Sequence, residues 1–175
     1  TVDVSRLIGW RESITPIEQA NLVGKVGLRG NHLGIFLGSL TPAKRLDFLF
    51  KISDLLRARF ADFELLIVGD GPLRDNVRDY AITRQWVRWV GAKHDRQKVL
   101  HLSLGKVMLN PGMVGLGILD SFAMGLPVVT TDCKIHSPEI AYLESGRNGL
   151  MTENNVEAFV EGVERLLLNP ELQQN

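Results

Sequence analysis

Residues 105–132 read GKVMLNPGMVGLGILDSFAMGLPVVTTD, and their pattern decides the fold. Lys106–Asn110 is a short apolar run of the kind that forms a buried strand, and Pro111 and Gly112 stop it. A glycine-rich loop, Met113–Gly117, opens a helix whose apolar residues Leu116, Leu119, Phe122 and Ala123 recur at helical spacing. Gly125 ends that helix, and Pro127–Thr130 is the next strand. A loop of this kind leaves backbone N–H groups unpaired at the positive end of a helix, a setting that suits phosphate. Asp120 lies about one turn beyond Leu116 on the same side, and is expected to face whatever the loop holds. On spacing alone there is a competing reading: glycines that only let a helix pack close to a sheet, and an aspartate in solvent.

Working outward, the same alternation fills the chain. Residues 1–14 show no clear period. Thr15-Pro16-Ile17-Glu18 is a capping box with proline at the first helical position, so a short helix is expected to about Val23, and Gly24, Gly27 and Gly30 mark a loop. Expected strands are Gly34–Leu37, Glu64–Val68 and Val87–Val90, then the two flanking the opening stretch, then Leu150-Met151. Between the first two, Leu46, Leu49, Phe50, Ile52 and Leu56 form a helical stripe; a second helix carries Leu73, Val77, Tyr80 and Ala81; Asp95–His101 is a short third. A short helix is expected near Glu139–Glu144, and the last helix takes Asn154 as cap, with Val156, Phe159, Val160, Val163, Leu166 and Leu167 as its stripe.

Strands that are continuous apolar runs, alternating with helices, make an α/β protein: a doubly wound, mostly parallel sheet covered on both faces. In the usual strand order the first and fourth strands are neighbours where the order reverses, and ligands bind outside their carboxyl ends. The loops that follow those strands are Gly38–Lys44 and Pro111–Leu116. They are expected to meet, bringing a lysine and a glycine-lined helix start to one spot.

The totals set bounds. With 175 residues, 45% apolar and 23% charged, the chain is ordinary globular material for one domain. A formal net charge of zero gives no footing for a nucleic-acid partner or an anionic lipid surface. The single Cys133 excludes an internal disulfide and a thiolate metal cluster, and fits a reducing compartment, hence the cytoplasm. His32, His94 and His101 have no metal-like spacing with any partner. No apolar run approaches a membrane span and no signal peptide is visible. The chain starts at Thr1 and stops within or just after a helix, so it is read as a piece of a longer polypeptide.

GIFLGSLTPAKRLDFL (34–49), ELLIVGDGPLRDNV (64–77), LNPGMVGLGILDSFAMGLPVVTTD (109–132) and HSPEIAYLESGRNGLMTENN (136–155) resemble, in order, motifs of the C-terminal domain of retaining GT-B glycosyltransferases of the family 4, or group 1, type. The resemblance runs from about Gly34 to Leu168. It implies a Rossmann-like domain that binds a nucleotide-diphosphate sugar. A separate N-terminal domain, absent from this chain, would bind the acceptor (a glycan, lipid or small molecule), and residues 1–30 would be a lead-in from the region between the two. It further implies transfer with retention and no required metal or other cofactor, and that the fragment alone is inactive. Any membrane contact would rest on the missing half.

Carried over residue by residue, the family's phosphate-binding lysine falls on Lys44, six positions after Gly38. There a fixed ammonium would neutralise charge on the departing diphosphate. The arginine that often follows the glycine is here Ser39. Of two glutamates eight positions apart, the one that bonds ribose hydroxyls falls on Asp120, and the one that touches the sugar falls on Gly112. The sugar contact is thereby left to backbone groups of Met113, Val114, Gly115 and Leu116. The base belongs near Gly91, Ala92 and Lys93. Trp89 is read as core, Asp70 as a turn former, and His136 and Glu139 as flanking the cleft without an assigned role. Two rival functions follow: a non-catalytic nucleotide-sugar-binding module or inactive partner subunit on the same fold, and a dinucleotide oxidoreductase, against which the loop after the first strand lacks the three-glycine fingerprint.

Overall fold

A computed structural model describes residues 2–29, 31–169 and 171. Six strands form one sheet in the order β3-β2-β1-β4-β5-β6: β1 His32–Leu37, β2 Phe63–Val68, β3 Val87–Trp89, β4 Val107–Leu109, β5 Val128–Thr131 and β6 Gly149–Thr152. Every pairing is parallel, with Leu37 opposite Val68 and Ile35 opposite Met108. This is the doubly wound, Rossmann-like α/β sheet expected, and its order reverses between β1 and β4.

The apolar runs are continuous because both faces are covered. Phe36, Leu65, Ile67, Leu109 and Val129 face a core closed by α3 (Leu46–Arg59), α4 (Arg74–Ile82) and α7 (Val156–Leu168). Their neighbours Ile35, Leu66, Val68, Met108 and Val128 face a second core with α5 (Asp95–Leu102), α6 (Gly117–Ala123) and the end of α2 (Pro16–Val26). On α3 the buried residues Leu46, Leu49, Ile52 and Leu56 keep the helical period.

The capping box is present: Glu18 N donates to Thr15 Oγ1 at 3.2 Å and Thr15 N to Glu18 Oε2 at 2.9 Å. Gly24 lies inside α2 rather than in a loop, which begins at Gly27 in the left-handed region; Gly30 is outside the described residues. Residues 4–13 form a helix, α1 (Val4–Ser13), that the sequence did not signal. It buries only Leu7 against Val99 and Ala123, so there is no apolar stripe to read, and Arg11 Nη1 anchors it on Ala123 O at 2.8 Å. Two further expectations are corrected. Residues 138–142 form a 3-10 helix, shorter than the helix expected over 139–144. The cap of α7 is Asn155, which accepts from Ala158 N at 2.8 Å, while Asn154 accepts from Arg45 at 2.6 Å.

Candidate functional site

The loop after β1 is held on both sides. Toward β2, Gly38 N donates to Val68 O at 3.1 Å, Leu40 N to Asp70 O at 3.0 Å and Leu73 N to Leu40 O at 2.9 Å. The main chains approach so closely that a Cβ at Gly69 would overlap Gly38 O. Toward β4, the loop tightens into a 3-10 turn, Pro42–Lys44, and Met113 N donates to Ala43 O at 2.8 Å. Arg45, in the left-handed region at φ 54°, then reaches Pro111 O at 3.2 Å and Thr131 Oγ1 at 3.1 Å. The two loops thus meet at the point where the strand order reverses.

Lys44 is at the junction. It is 6% exposed, and Nζ donates to Met113 O at 2.6 Å. Its Cε lies 3.2 Å from where a Gly38 Cβ would be, so the ammonium sits beside the end of β1. An ammonium has three donors, and this one has a single neutral acceptor; among the described residues no carboxylate pairs with it. Burial lowers its pKa below the ordinary 10.5. Such a cation is under-solvated and lacks a counter-ion, the condition that favours an arriving anion.

Gly112 is accounted for by its neighbours. A Cβ there would fall 2.5 Å from the Lys44 carbonyl carbon and 2.7 Å from its Cα. No side chain, least of all a glutamate, fits at the position to which the resemblance carried the sugar-contacting carboxylate. The backbone groups named beside it divide. Met113 uses both its N–H and its C=O on the β1 loop. Val114 N donates to His136 Nδ1 at 3.1 Å, and Val114 O accepts from Ser137 N at 3.0 Å. Gly115 and Leu116 are different: their N–H groups, like that of Gly117 at the start of α6, have no acceptor among the described residues. Of the residues expected to offer backbone groups, Gly115 and Leu116, joined by Gly117, are those whose N–H groups are free among the described residues.

Asp120 is 5% exposed on α6 and faces α5, where Lys98 Nζ lies 2.6 Å from Oδ1. Its nearest charge is thus a lysine absent from the sequence reading, which could have been found only by knowing that α5 and α6 are adjacent. The remaining candidates line a cavity of about 240 Å³ at the carboxyl ends of β1, β2 and β3, where Gly38, Ser39, Ala92 and Lys93 come together with Asp70. Asp70 is a turn former, accepting from Gly71 N at 2.7 Å and Arg74 Nη2 at 2.9 Å. Trp89 packs on the core and donates Nε1–H to Gly69 O at 2.9 Å.

A larger cavity, about 700 Å³, lies at the opposite, amino end of the strands beside Arg57, Arg84, Trp86 and Arg88. Those guanidinium groups already have protein acceptors. Arg57 donates to Phe63 O at 2.7 Å, Arg84 to both oxygens of Asp54 at 2.7 and 2.9 Å, and Arg88 to Val26 O at 3.0 Å and Gly27 O at 3.2 Å. The carboxyl edge, with its unpaired cation and free N–H groups, is the candidate site. No helix of the described residues is long and apolar enough to cross a membrane.

Comparison with known proteins gives the family and the fold. The family model described as Glycosyl transferases group 1 matches residues 31–169. An uncharacterized glycosyltransferase of Haemophilus influenzae is 29% identical over 144 residues, covering 78% of this chain and 39% of that protein. The chain spans about two-fifths of the length of the curated relatives it matches. Among solved structures, the C-terminal domain of a group 1 family glycosyl transferase, LpcC, from Francisella tularensis superposes with a TM-score of 0.76 at 14% identity, over 99% of this chain and 91% of that one. Anabaena Alr3699/HepE in complex with UDP and glucose gives 0.75 at 17% identity, over 92% of this chain and 45% of that one. At such identities the structural likeness shows the fold, that of the C-terminal half of GT-B glycosyltransferases.

Proposed function

The chain belongs to the group 1 glycosyl transferases, and from that premise we propose that it is the donor-binding domain of a transferase that moves a sugar from a nucleotide diphosphate to an acceptor with retention. The observation that carries this is Lys44: a buried ammonium without a carboxylate partner, held by Met113 O beside Gly38 where the strand order reverses. In this reading the diphosphate lies between Lys44 and the unpaired N–H groups of Gly115, Leu116 and Gly117. These neutralise the charge that grows on the leaving group as the glycosidic bond breaks, so the mechanism calls for no metal. Asp120 accepts the ribose hydroxyls, as a carboxylate with two oxygens can do while keeping Lys98. The base takes the cavity beside Ala92 and Lys93. That solved relatives hold UDP and glucose supports the ligand class.

The acceptor is then bound by an N-terminal domain outside this chain, and the fragment alone turns over poorly because orienting the acceptor supplies much of the rate. The free cysteine accords with a cytoplasmic site of action. Calorimetric titration with UDP, GDP and ADP, each with and without its sugar, tests the reading beside Asp120→Ala. Saturable binding of one nucleotide, weakened about tenfold or more in the variant, is expected; equal affinity in both proteins would remove Asp120 from the site. One observation favours the rival binding module: Gly112 cannot carry the sugar-contacting glutamate. Release of free nucleotide from the bound nucleotide sugar by the full-length protein, absent in Lys44→Ala, decides against that rival.

A further inference from the structure

His136 stands behind the β4–α6 loop and touches it at the residue where bonded backbone gives way to free N–H groups. Its Nδ1 accepts from Val114 N at 3.1 Å, so that nitrogen carries no proton. The proton is on Nε2, which donates to Thr131 O at 2.6 Å, with Cys133 Sγ 3.6 Å away. The ring is therefore a neutral imidazole of one defined tautomer. Because Nε2 is the protonated nitrogen, it cannot serve as a base toward Cys133, and the two are not a catalytic pair. The next residue completes the hold, Ser137 N donating to Val114 O at 3.0 Å. The Val114 side chain is itself fully buried, in the core that contains Ile118. Val114 is thus pinned by its donor, its acceptor and its side chain, and the next three N–H groups have no acceptor among the described residues.

We propose that His136 is a positioning residue for the diphosphate of the donor: its neutral ring clamps Val114 and thereby sets the N–H groups of Gly115, Leu116 and Gly117. This rests on the donor reading above. A proton added at Nδ1 would put an N–H against the Val114 N–H, ending the clamp. Lys44 Nζ binds Met113 O on the loop the ring supports, and Arg45 reaches Thr131 Oγ1 on β5. On the ring's own loop, Asp132 and Lys134 pair with each other at 3.5 Å, Glu139 follows in the 3-10 helix, and Cys133 is the one other titratable group. Among the described residues no carboxylate pairs with the imidazole.

The test compares wild type with His136→Phe, which removes both ring bonds, and His136→Asn, whose side-chain oxygen can still accept from Val114 N. Nucleoside diphosphate affinity is expected to fall about tenfold in His136→Phe and to return to within a few-fold in His136→Asn, with nucleoside monophosphate affinity nearly unchanged in both. A folded His136→Phe with wild-type affinity, or a His136→Asn that binds as weakly as His136→Phe, overturns the proposal. If wild type binds no nucleoside diphosphate, the donor reading fails by itself. The clamp is then judged from the imidazole nitrogen shifts and from amide exchange of residues 114–117. An Nδ1–H tautomer, or exchange indifferent to His136→Phe, overturns it.

Discussion

Three arginines at the amino end of the parallel sheet and Lys44 at its carboxyl end stand in opposite circumstances. At the amino end, Arg88 donates to Val26 O and Gly27 O, the carbonyls at the end of α2, and Arg57 and Arg84 are likewise bonded, around a cavity of about 700 Å³. At the carboxyl end the cavity is about 240 Å³, yet Lys44 is buried with one neutral acceptor. The arginines complete a helix end and a strand; the lysine is itself incomplete. What separates a structural cation from a binding one is unmet bonding capacity, and cavity size points the wrong way here.

The comparison breaks most violently at Gly112. Placing glutamate there drives a side chain into the main chain of Lys44, and Gly112→Glu is expected to lose about 3 kcal/mol or more of stability by chemical denaturation. A Gly112→Glu protein that folds like wild type would mean that the two loops stand further apart than described. Next in size is the exchange of roles. Lys44→Ala should weaken nucleoside diphosphate binding by about 2–3 kcal/mol without lowering the melting temperature, since it removes a desolvated charge. Arg88→Gln should do the reverse, costing about 1–2 kcal/mol of stability and leaving affinity alone. Paired titration and melting curves of these variants check both halves.

A smaller effect follows from proton linkage at Lys44. Its folded pKa lies below 10.5, so between the two values the unfolded chain binds more protons than the native one. Stability therefore gains from this group as pH rises through that window, while diphosphate affinity falls across it as the ammonium is lost. Lys44→Met should flatten both trends. The smallest effect belongs to a half-buried ion pair between α2 and α5. Arg96 and the Thr15 backbone hold the Glu18 carboxyl at about 2 against an ordinary 4.5. That contribution is fully present above 4.5 and fades as pH falls toward 2, and Glu18→Gln should remove this part of the acid transition.

Much of this was legible in the sequence, for physical reasons. Continuous apolar runs gave the six strands because both faces of the sheet are covered, and the alternation with helices gave the doubly wound class, whose usual strand order is the one on which the meeting of Gly38–Lys44 with Pro111–Leu116 depends. Whatever depends on contacts between distant residues was not legible. α1 buries one side chain and carries no periodic signal. The departure at Gly112 reads in the sequence as a lost carboxylate, whereas in the fold it is a close approach of two backbones. The occupation of Met113 and Val114 by Ala43, Lys44, His136 and Ser137, and the pairing of Asp120 with Lys98, need the packed structure, because their partners lie up to 70 positions away in the chain. His136 was a loop histidine without a role until both its ring nitrogens could be assigned.

The most direct test is a crystal structure of the domain with whichever nucleoside diphosphate binds it most tightly. The diphosphate is expected at the carboxyl edge of the sheet, with an oxygen in hydrogen-bond reach of Lys44 Nζ. Ligand density instead among Arg57, Trp86 and Arg88 at the amino edge, with the Lys44 surroundings unchanged, would contradict the account.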